Sequence, residues 1–435
     1  MLPRGKIAIL SAKKIGAALT FEEHLRKGVE ALGAPARALE PGECRTPQGS
    51  PCGLCSAMTL DYALERELKQ QALSAFWTEH VPSVPVDPLV GSPRGRAYRA
   101  VSKRKLYRTP GGPRLGLVGS AERPAPAGIP VVRCAIEPTE HAGIYAHHDR
   151  ALRAPWCAPL SESLSYVVLK GDGRSTSIIW NVRSTAPDVV RAANTLSMSL
   201  TWKFGDGIAG VFLYRGDDAG RYYLGTRDPA GRQEVRKLFG RSEIAVRVAG
   251  RLLRFPPLSF SQVNTSMLDL FVSGAGELLK PGKSETLLDL YCGYGLFALS
   301  LGGLARRVIG VEASRVSVAA ARDNARRLGM KECRFTVADI AGETIPAVMA
   351  SLGGPTVAIL DPPRNGTSAG VIEALAGAGP ARVLHVFCNS ALILPDLERW
   401  RRHDYFPARV RAFDMFPGTP ELETMVLLER RRQGI

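Results

Sequence analysis

The sequence of 435 residues is long enough for two or three domains, each with its own apolar core. Its 57 lysines and arginines outnumber its 41 aspartates and glutamates, which gives a formal net charge of +16. This balance favours a polyanionic partner over a small acidic ligand, although an ordinary basic surface would give the same total. A membrane span needs about 18 consecutive apolar residues, and no apolar run in this sequence approaches that length. The apolar stretch at 6–10 is too short for a signal peptide. We therefore expect a cytoplasmic protein without a membrane partner.

The first 43 residues predict one short strand at 7–10 and one helix at 20–32, and they contain no motif that indicates a role. A second helix is predicted at 60–77, where an apolar residue recurs at every fourth position from Leu64 to Phe76. One face of this helix must be buried, and we expect it to pack on another domain.

Four of the eight cysteines are grouped by their spacing: Cys44, Cys52 and Cys55 lie in one loop, and Cys134 follows far downstream. Because the cytosol keeps thiols reduced, such a group predicts a metal site rather than disulfide bonds. Four thiolates without a nearby histidine suit either zinc or an iron-sulfur cluster. Spacing alone leaves this choice open.

The segment 94–114 is rich in lysine and arginine, and Tyr98 and Tyr107 are interleaved with these basic residues. Basic side chains can bind phosphates, and a tyrosine ring can stack on a base that has left its helix. The segment therefore indicates an RNA-binding surface, with an ordinary basic hairpin as the alternative.

Short β-rich segments, including one at 221–224, follow between residues 165 and 255 and are separated by Gly and Asp turns. One helix is predicted among them, beginning at Pro187. From about residue 256 to the end, strands and helices alternate, which predicts an α/β domain. The predicted regions are a small N-terminal segment at 1–43, a mainly antiparallel, β-rich central region at 44–255, and an α/β domain at 256–435.

The α/β region opens with a nucleoside-binding pattern. An apolar run that ends in Asp289 predicts a buried strand, and Gly293 and Gly295 predict a tight turn before a helix. Glycines let the backbone approach a nucleoside, and Glu312, about 20 residues further on, ends a second strand with a carboxylate suited to ribose hydroxyls. The same glycine spacing also fits a dinucleotide fingerprint, so nicotinamide chemistry is an alternative for this pattern taken alone.

Two later strand ends carry reactive residues, Asp361 and Cys388, to the same edge of the sheet, and a dehydrogenase has no use for that thiol. A thiol can attack C6 of a pyrimidine and make C5 nucleophilic toward a methyl group carried by a sulfonium donor. A base must then remove the C5 proton, and Glu423 is the candidate, since desolvation can raise the pKa of a carboxyl group toward neutrality. Taken singly, the cysteine could be a packing residue and the glutamate a surface residue. Their joint occurrence predicts methyl transfer to C5 of a pyrimidine.

At these residues the sequence resembles the RNA 5-methyluridine methyltransferases that use S-adenosylmethionine. The resemblance covers about residues 44 to 430. Its most specific pieces are Phe260-Ser-Gln-Val-Asn264, Asp289-Leu-Tyr-Cys-Gly293, Asp361-Pro-Pro-Arg364, Cys388-Asn389 and Asp414-Met-Phe-Pro417. The resemblance implies a Rossmann-like class I methyltransferase domain at 256–435 and a central region that binds RNA.

Carried over residue by residue, the resemblance makes Cys388 the nucleophile and Glu423 the proton acceptor. The cofactor contacts that it implies come from Gln262, Tyr291, Glu312 and Asp361, of which Asp361 also borders the uracil pocket. It implies no protein partner.

The resemblance also implies a [4Fe-4S] cluster held by Cys44, Cys52, Cys55 and Cys134, with structural zinc as the alternative. Such a cluster is found in the ribosomal RNA branch of the family and is absent from some tRNA enzymes, so 23S rRNA is favoured over tRNA as the substrate. Two other functions stay open. One is an RNA-binding protein that keeps the fold without turnover, and the other is an RNA cytosine-5 methylase, which generally has a cysteine in the motif occupied here by 361–364.

Two positions depart from the family pattern. Leu296 stands where the family usually has Asn, so a polar contact to the cofactor is missing or is made by backbone. Glu421 stands where a His is common, two positions before the candidate base.

Overall fold

A computed structural model describes residues 19–31, 44–47, 52, 54–55, 60–119, 125, 128–216 and 234–431. The strands predicted at 7–10 and 221–224 lie outside these residues. Within these ranges, no helix combines the length and the apolar character that crossing a bilayer requires.

Two helices that pack on each other come first, α1 (Phe21–Ala31) and α2 (Tyr62–His80). Asp61 fixes the start of α2, because its carboxylate accepts a hydrogen bond from Ala63 N at 2.9 Å. The buried apolar face of α2 packs in one cluster with residues of the C-terminal sheet. This face consists of Leu68, Ala72, Leu73, Phe76 and Trp77.

The central region contains a six-stranded sheet in the order β2-β1-β3-β4-β5-β6. Its strands are β1 (Val101–Thr109), β2 (Gly112–Gly116), β3 (Leu164–Gly171), β4 (Thr176–Val182), β5 (Ile208–Arg215) and β6 (Val235–Gly240). Neighbouring strands pair antiparallel, except that β4 and β5 are parallel. A parallel pair needs a long crossover, and a helix supplies it here.

Three helices pack on the apolar face of this sheet: α3 (Thr139–Ala151), α4 (Ala158–Ser163) and α5 (Pro187–Phe204), of which α5 is the crossover. The helix predicted to begin at Pro187 does begin there and ends at Phe204. The hairpin β7 (Ile244–Val248) and β8 (Arg251–Phe255) packs its apolar side chains into the core of the C-terminal sheet.

The C-terminal region is an α/β unit around a seven-stranded sheet in the order β11-β10-β9-β12-β13-β15-β14. Its strands are β9 (Thr286–Leu290), β10 (Arg307–Glu312), β11 (Cys333–Val337), β12 (Thr356–Leu360), β13 (Arg382–Phe387), β14 (Tyr405–Phe413) and β15 (Glu423–Arg430). Its helices are α6 (Leu268–Leu279), α7 (Leu296–Leu301), α8 (Arg315–Arg327), α9 (Ile345–Ala350), α10 (Val371–Ala378) and α11 (Ile393–Arg401).

The strand directions in this sheet decide where a ligand can bind. The first five strands in the order are parallel, and the strand order reverses between β9 and β12, which opens a crevice at their carboxyl ends. β15 runs antiparallel to both β13 and β14. Its first residue therefore lies at the edge of the sheet where the parallel strands end.

Candidate active site

Three reactive side chains lie together at this edge of the sheet. Phe387, the last residue of β13, pairs with Thr424 of β15, so the next residue, Cys388, lies beside Glu423. Asp361 directly follows β12, the neighbour of β13 on its other side. The sheet therefore brings one thiol and two carboxyl groups to a common position, as the strand ends predict.

The protonation of these groups is set mainly by their removal from water. Burial, with the negative charges of Glu423 and Asp361, raises the pKa of the Cys388 thiol to about 12, while the Arg364 cation opposes this shift. Burial, then the charges of Asp361 and Glu421, raises the pKa of Glu423 well above its usual value. Burial raises the pKa of Asp361 to about 7. Without a ligand, Cys388 and Glu423 therefore hold their protons at neutral pH and Asp361 is partly ionised, and a cationic ligand would stabilise the carboxylates.

Glu423 is 3% exposed. Its Oε2 atom has no hydrogen-bond partner within the described residues. A buried carboxyl oxygen without a partner is costly in a folded protein, and it is commonly satisfied when a ligand or water is present. This geometry suits a group that accepts a proton from a bound substrate.

The turn after β9 leaves open space beside the backbone at Gly293, where a Cβ atom would meet no heavy atom within 4 Å. Gly293 and Gly295 have φ angles of +54° and +92°, and Tyr291 between the strand and these glycines has a φ of +65°. A Cβ atom at Gly295 would lie 2.8 Å from a side-chain carbon of Leu299. Glycine is thus required at 295, both for its left-handed conformation and for its contact with α7.

Two carboxylates accept hydrogen bonds from the backbone of this turn and of the helix that follows it. Asp289 is fully buried; its Oδ2 accepts a hydrogen bond from Ala298 N at 2.9 Å, and burial raises its pKa to about 8. Glu312 accepts from Gly293 N at 3.2 Å and from Ser314 N at 2.7 Å, one bond to each oxygen. The Glu312 carboxylate therefore lies at the turn, where a ribose would lie in a nucleoside site.

The loop before α6 brings a side-chain amide to the same crevice. Gln262 Nε2 donates to Asp361 Oδ2 at 3.5 Å. This loop is anchored to the central sheet by Lys170 of β3, which is buried and donates from Nζ to the carbonyls of Pro257, at 3.3 Å, and Ser259. The central and C-terminal regions thus meet next to the candidate site.

The loop that leads into Glu423 is attached to α2 by a buried ion cluster. Lys69 Nζ lies 2.8 Å from Asp414 Oδ1 and 2.7 Å from Glu65 Oε1, and all three side chains are fully buried. Glu65 Oε1 also accepts from Gly418 N at 2.7 Å. The apolar periodicity of α2 predicted that one face is buried, but it gave no indication of the roles of Glu65 and Lys69. Their signal was two opposite charges four residues apart on a helix that packs on another domain.

The cysteine loop lies against the segment that carries Cys134. Arg45 N donates to the Arg133 carbonyl at 2.9 Å in an antiparallel bridge, which places Cys44 and Cys134 next to the paired residues. Cys44, Cys55 and Cys134 pack against a small apolar cluster that includes Tyr98. The backbone pairing therefore brings the two cysteine segments together.

The four thiols also influence one another. A hydrogen bond between Cys44 and Cys52, followed by burial, raises the pKa of Cys52. Burial and then the charge of Cys44 raise the pKa of Cys55 to about 11, and burial is the chief cause of the raised pKa of Cys134, about 12, to which Cys55 contributes. Among the residues with described positions, however, no group of three or more His, Cys, Asp or Glu side chains has the arrangement of a metal site.

Only part of the basic segment at 94–114 is exposed to solvent. Tyr98 is 2% exposed and its hydroxyl donates to a carbonyl of the β14–β15 loop at 2.9 Å, so the interpretation of its ring as a platform for a base is wrong. Arg104 is buried in an ion pair with Glu137 at 2.7 Å. Lys105 and Tyr107 stay half-exposed on the other face of β1, with the ammonium 5.9 Å from the ring centre.

Comparison with known proteins identifies the family. Residues 232–351 match the family model tRNA (Uracil-5-)-methyltransferase. The 23S rRNA (uracil(1939)-C(5))-methyltransferase RlmD of Alkalilimnicola ehrlichii is 31% identical over 393 residues, which cover 88% of this chain and 81% of that protein. The chain belongs to the RNA uracil-5-methyltransferase family. An uncharacterized RNA methyltransferase of Gloeobacter violaceus is 28% identical over 89% of this chain and 83% of its own length.

A solved structure supports the fold of this methyltransferase. The tRNA (uracil-54, C5)-methyltransferase of Pyrococcus abyssi, in complex with S-adenosyl-L-homocysteine, superposes with a TM-score of 0.60 and 20% identity, covering 88% of each chain. The α/β, class I methyltransferase-like fold expected from the sequence is confirmed. The RNA uracil-5-methyltransferase activity expected from the motifs agrees with the family.

The four residues predicted to contact the cofactor of the methyltransferase all lie around the crevice. Tyr291 and Glu312 follow or end the parallel strands β9 and β10, and Asp361 follows β12 with Gln262 beside it. Their roles as cofactor contacts remain predictions, which their shared location at the crevice supports.

Both departures from the family pattern have a structural setting in this methyltransferase. Leu296 is the first residue of α7 and packs in the apolar core, so it directs no polar group to the crevice. Glu421 forms an ion pair with Arg364, the last residue of the Asp-Pro-Pro-Arg motif. The carboxylate at 421 thus fixes the guanidinium that lies close to Cys388.

Proposed function

We propose that this methyltransferase transfers a methyl group from S-adenosylmethionine to C5 of a uridine in 23S rRNA, through a transient bond between Cys388 and C6. The observation that carries the proposal is the meeting of Cys388, Glu423 and Asp361 at one edge of the seven-stranded sheet. The relative from Alkalilimnicola ehrlichii, whose name specifies 23S rRNA, supports this substrate over most of the chain.

The first step is attack of Cys388 Sγ on C6, which moves the electrons of the C5–C6 double bond toward C5 and the neighbouring carbonyl. The thiol must lose its proton in this step, because its pKa of about 12 keeps it protonated at neutral pH. Asp361, with a pKa of about 7, is partly ionised there and close enough to change the pKa of the thiol. It is the group suited to accept that proton.

S-adenosylmethionine supplies an electrophilic methyl group on a sulfonium cation. A cation next to these carboxyl groups lowers their pKa values and so favours the ionised form of Glu423. The nucleophilic C5 carbon takes this methyl group, and cleavage of the sulfonium–methyl bond leaves S-adenosylhomocysteine. Glu423 then removes the proton from C5, the electrons left behind restore the double bond as the Sγ–C6 bond breaks, and the departing thiolate regains its proton from Asp361. The products are 5-methyluridine, S-adenosylhomocysteine and a regenerated thiol.

RNA that contains 5-fluorouridine tests this mechanism, because fluorine replaces the proton that Glu423 must remove and the adduct cannot be released. We expect a denaturation-resistant complex between the protein and labelled 23S rRNA fragments in the presence of S-adenosylmethionine, and none with the Cys388→Ala variant. Methyl transfer that persists in Cys388→Ala would contradict the proposal. Transfer to tRNA transcripts but not to 23S rRNA would assign the substrate to tRNA.

We further propose that Cys44, Cys52, Cys55 and Cys134 hold a [4Fe-4S] cluster. The donor set fits, since the segments pair through backbone hydrogen bonds and the thiols lie near enough to shift each other's pKa values. Methyl transfer by this mechanism includes no oxidation or reduction. The cluster would therefore hold the cysteine loop and the segment at 134 together and take no part in the reaction.

Anaerobic purification followed by iron and sulfide analysis tests the cluster. We expect about four irons per chain, as four cysteine ligands imply, with broad absorption at visible wavelengths. Replacement of Cys55 by Ser should remove both, whereas replacement of the buried Cys157, which lies in another core, should remove neither. A colourless protein that binds one zinc at the same cysteines would contradict the proposal.

A further inference from the structure

The N-terminal helix α1 reaches the candidate nucleophile. A cleft beside Cys388 has one wall formed by the turn after β13 and by the residues just before β15, including Asn389 and Glu421. The opposite wall comes from the first residues of α1 and from α2. The helical wall consists of Phe21, Glu22, Leu73, Phe76 and Trp77. A segment without any sequence motif thus borders the position where we place the nucleophile.

The position of α1 is fixed by contacts of its own. Thr20 and Glu23 form a reciprocal cap: Thr20 N donates to Glu23 Oε2 at 2.7 Å, and Glu23 N donates to Thr20 Oγ1 at 3.2 Å. Phe21 and Leu25, one turn apart, are 3% and 4% exposed. The cap therefore starts the helix where Phe21 and Glu22 face the cleft.

Two hydrogen bonds join this helix to α2. His24 Nε2 lies 2.9 Å from Glu79 Oε2, and His80 Nε2 donates to the Leu19 carbonyl at 3.0 Å. Because α2 is itself fixed to the β14–β15 loop by Lys69, α1 is held relative to the strand that carries Glu423. The wall of the cleft is thus part of one connected packing unit.

Charge links α1 to the cleft as well. Arg364 forms an ion pair with Glu421, and Glu22 lines the same cleft as Arg364, where its carboxylate favours the charged guanidinium. The same guanidinium lowers the pKa of the Cys388 thiol, against the larger opposite effect of burial. The charged groups that face Cys388 are therefore Glu423, Asp361 and Arg364, with Glu421 and Glu22 acting through Arg364.

We propose that α1 belongs to the active site. Phe21 closes the cleft beside Cys388 and excludes water from it. Glu22, together with Glu421, holds Arg364 beside the thiol. Phe21 and Glu22 are thus positioning residues for the nucleophile. This inference rests on the proposed function of Cys388. Exclusion of water strengthens the interaction of the thiol with the charged groups around it and protects the covalent intermediate.

The test compares Phe21→Ala with Leu25→Ala. Both changes remove a buried apolar side chain from the same helix, but only Phe21 lines the cleft. The purified full-length variants are treated with iodoacetamide, and the modified cysteines are located by mass spectrometry. Cys157 and Cys333, which are buried elsewhere, report any general loosening of the fold.

We expect Phe21→Ala to raise the alkylation rate of Cys388 by at least about threefold, because water reaches the thiol and burial no longer raises its pKa as far. Alkylation of Cys157 and Cys333 should stay unchanged. Formation of the 5-fluorouridine adduct should slow in the same variant, because water weakens the interaction of the thiol with the charged groups that assist its attack on C6. The apparent affinity for RNA should be kept. Leu25→Ala should leave the reactivity of Cys388 at the wild-type level.

Equal alkylation of Cys388 in Phe21→Ala and wild type, or equal increases in Phe21→Ala and Leu25→Ala, would overturn the proposal. A second comparison isolates the charge: Glu22→Gln should slow adduct formation, whereas Glu30→Gln, an exposed change on the same helix, should not. These readouts are separate from the proposed function. If Cys388→Ala retained methyl transfer, the proposed chemistry would fail, while the alkylation rates would still decide whether α1 closes the cleft.

Discussion

Replacement of Lys69 by methionine tests how the loop before Glu423 is held. Lys69 lies between the carboxylates of Glu65 and Asp414, and all three side chains are fully buried. Methionine keeps most of the length and removes the charge, which leaves two carboxylates in the core without their cation. Removal of one partner from a buried ion pair costs about 3–5 kcal/mol. We expect a loss in this range in the free energy of unfolding, measured by urea denaturation.

The pH dependence of this loss has a definite sign. Burial raises the pKa of Glu65 in the folded protein, and Lys69 opposes the shift. Without the lysine, the folded protein should hold more protons than the unfolded chain at pH values above the usual pKa of a glutamate. Stability of Lys69→Met should therefore fall as the pH rises from about 5 to about 8.

A matched variant separates charge from packing. The triple variant Lys69→Met, Glu65→Gln, Asp414→Asn keeps acceptors for Gly418 N and the Tyr62 hydroxyl but has no buried charge. It should recover at least about 1 kcal/mol relative to Lys69→Met and lose the pH dependence. If Lys69→Met were as stable as the wild type at every pH, the cluster would not hold this loop.

The other predictions concern the reaction and RNA binding. Glu423→Gln should methylate ordinary RNA but retain it as an adduct on denaturing gels, with release slowed about 10²–10⁴-fold; an adduct without the new methyl group would contradict this role. Without S-adenosylmethionine, the rate of adduct formation should rise through about pH 7 as Asp361 ionises, and Asp361→Asn should lack this inflection. Lys105→Ala should weaken RNA binding and reduce the magnitude of its salt slope by about 1; an unchanged slope would exclude Lys105 from the interface.

The sequence predicted the parts of the site that depend on local strand patterns. Asp361, Cys388 and Glu312 each follow or end an apolar run, and parallel strands must end at the same edge, so their common location follows from the pattern. Their proximity to Glu423 was expected because the chemistry needs a base and because the family resemblance implies one at this position. The structure adds the reason, which is the antiparallel direction of β15.

Other features could not be predicted because they depend on contacts between distant segments. Apolar periodicity showed that α2 is buried, but no local pattern relates Lys69 to Asp414, which is 345 positions away. Tyr98 was misread for the same reason, since a tyrosine among arginines looks exposed until its partner in the β14–β15 loop is known. The contact of Phe21 with the cleft likewise depends on the pairing of α1 and α2.

The reversed direction of β15 also limits how the active site can vary. Side chains alternate between the two faces of a strand, so a shift of β15 by one residue against β13 would present Thr424 where Glu423 stands. Insertions within the strand would therefore abolish the acid–base group while leaving the sheet intact. The loop at 414–422, which Lys69 and Glu65 attach to α2, must therefore return the chain in this one register.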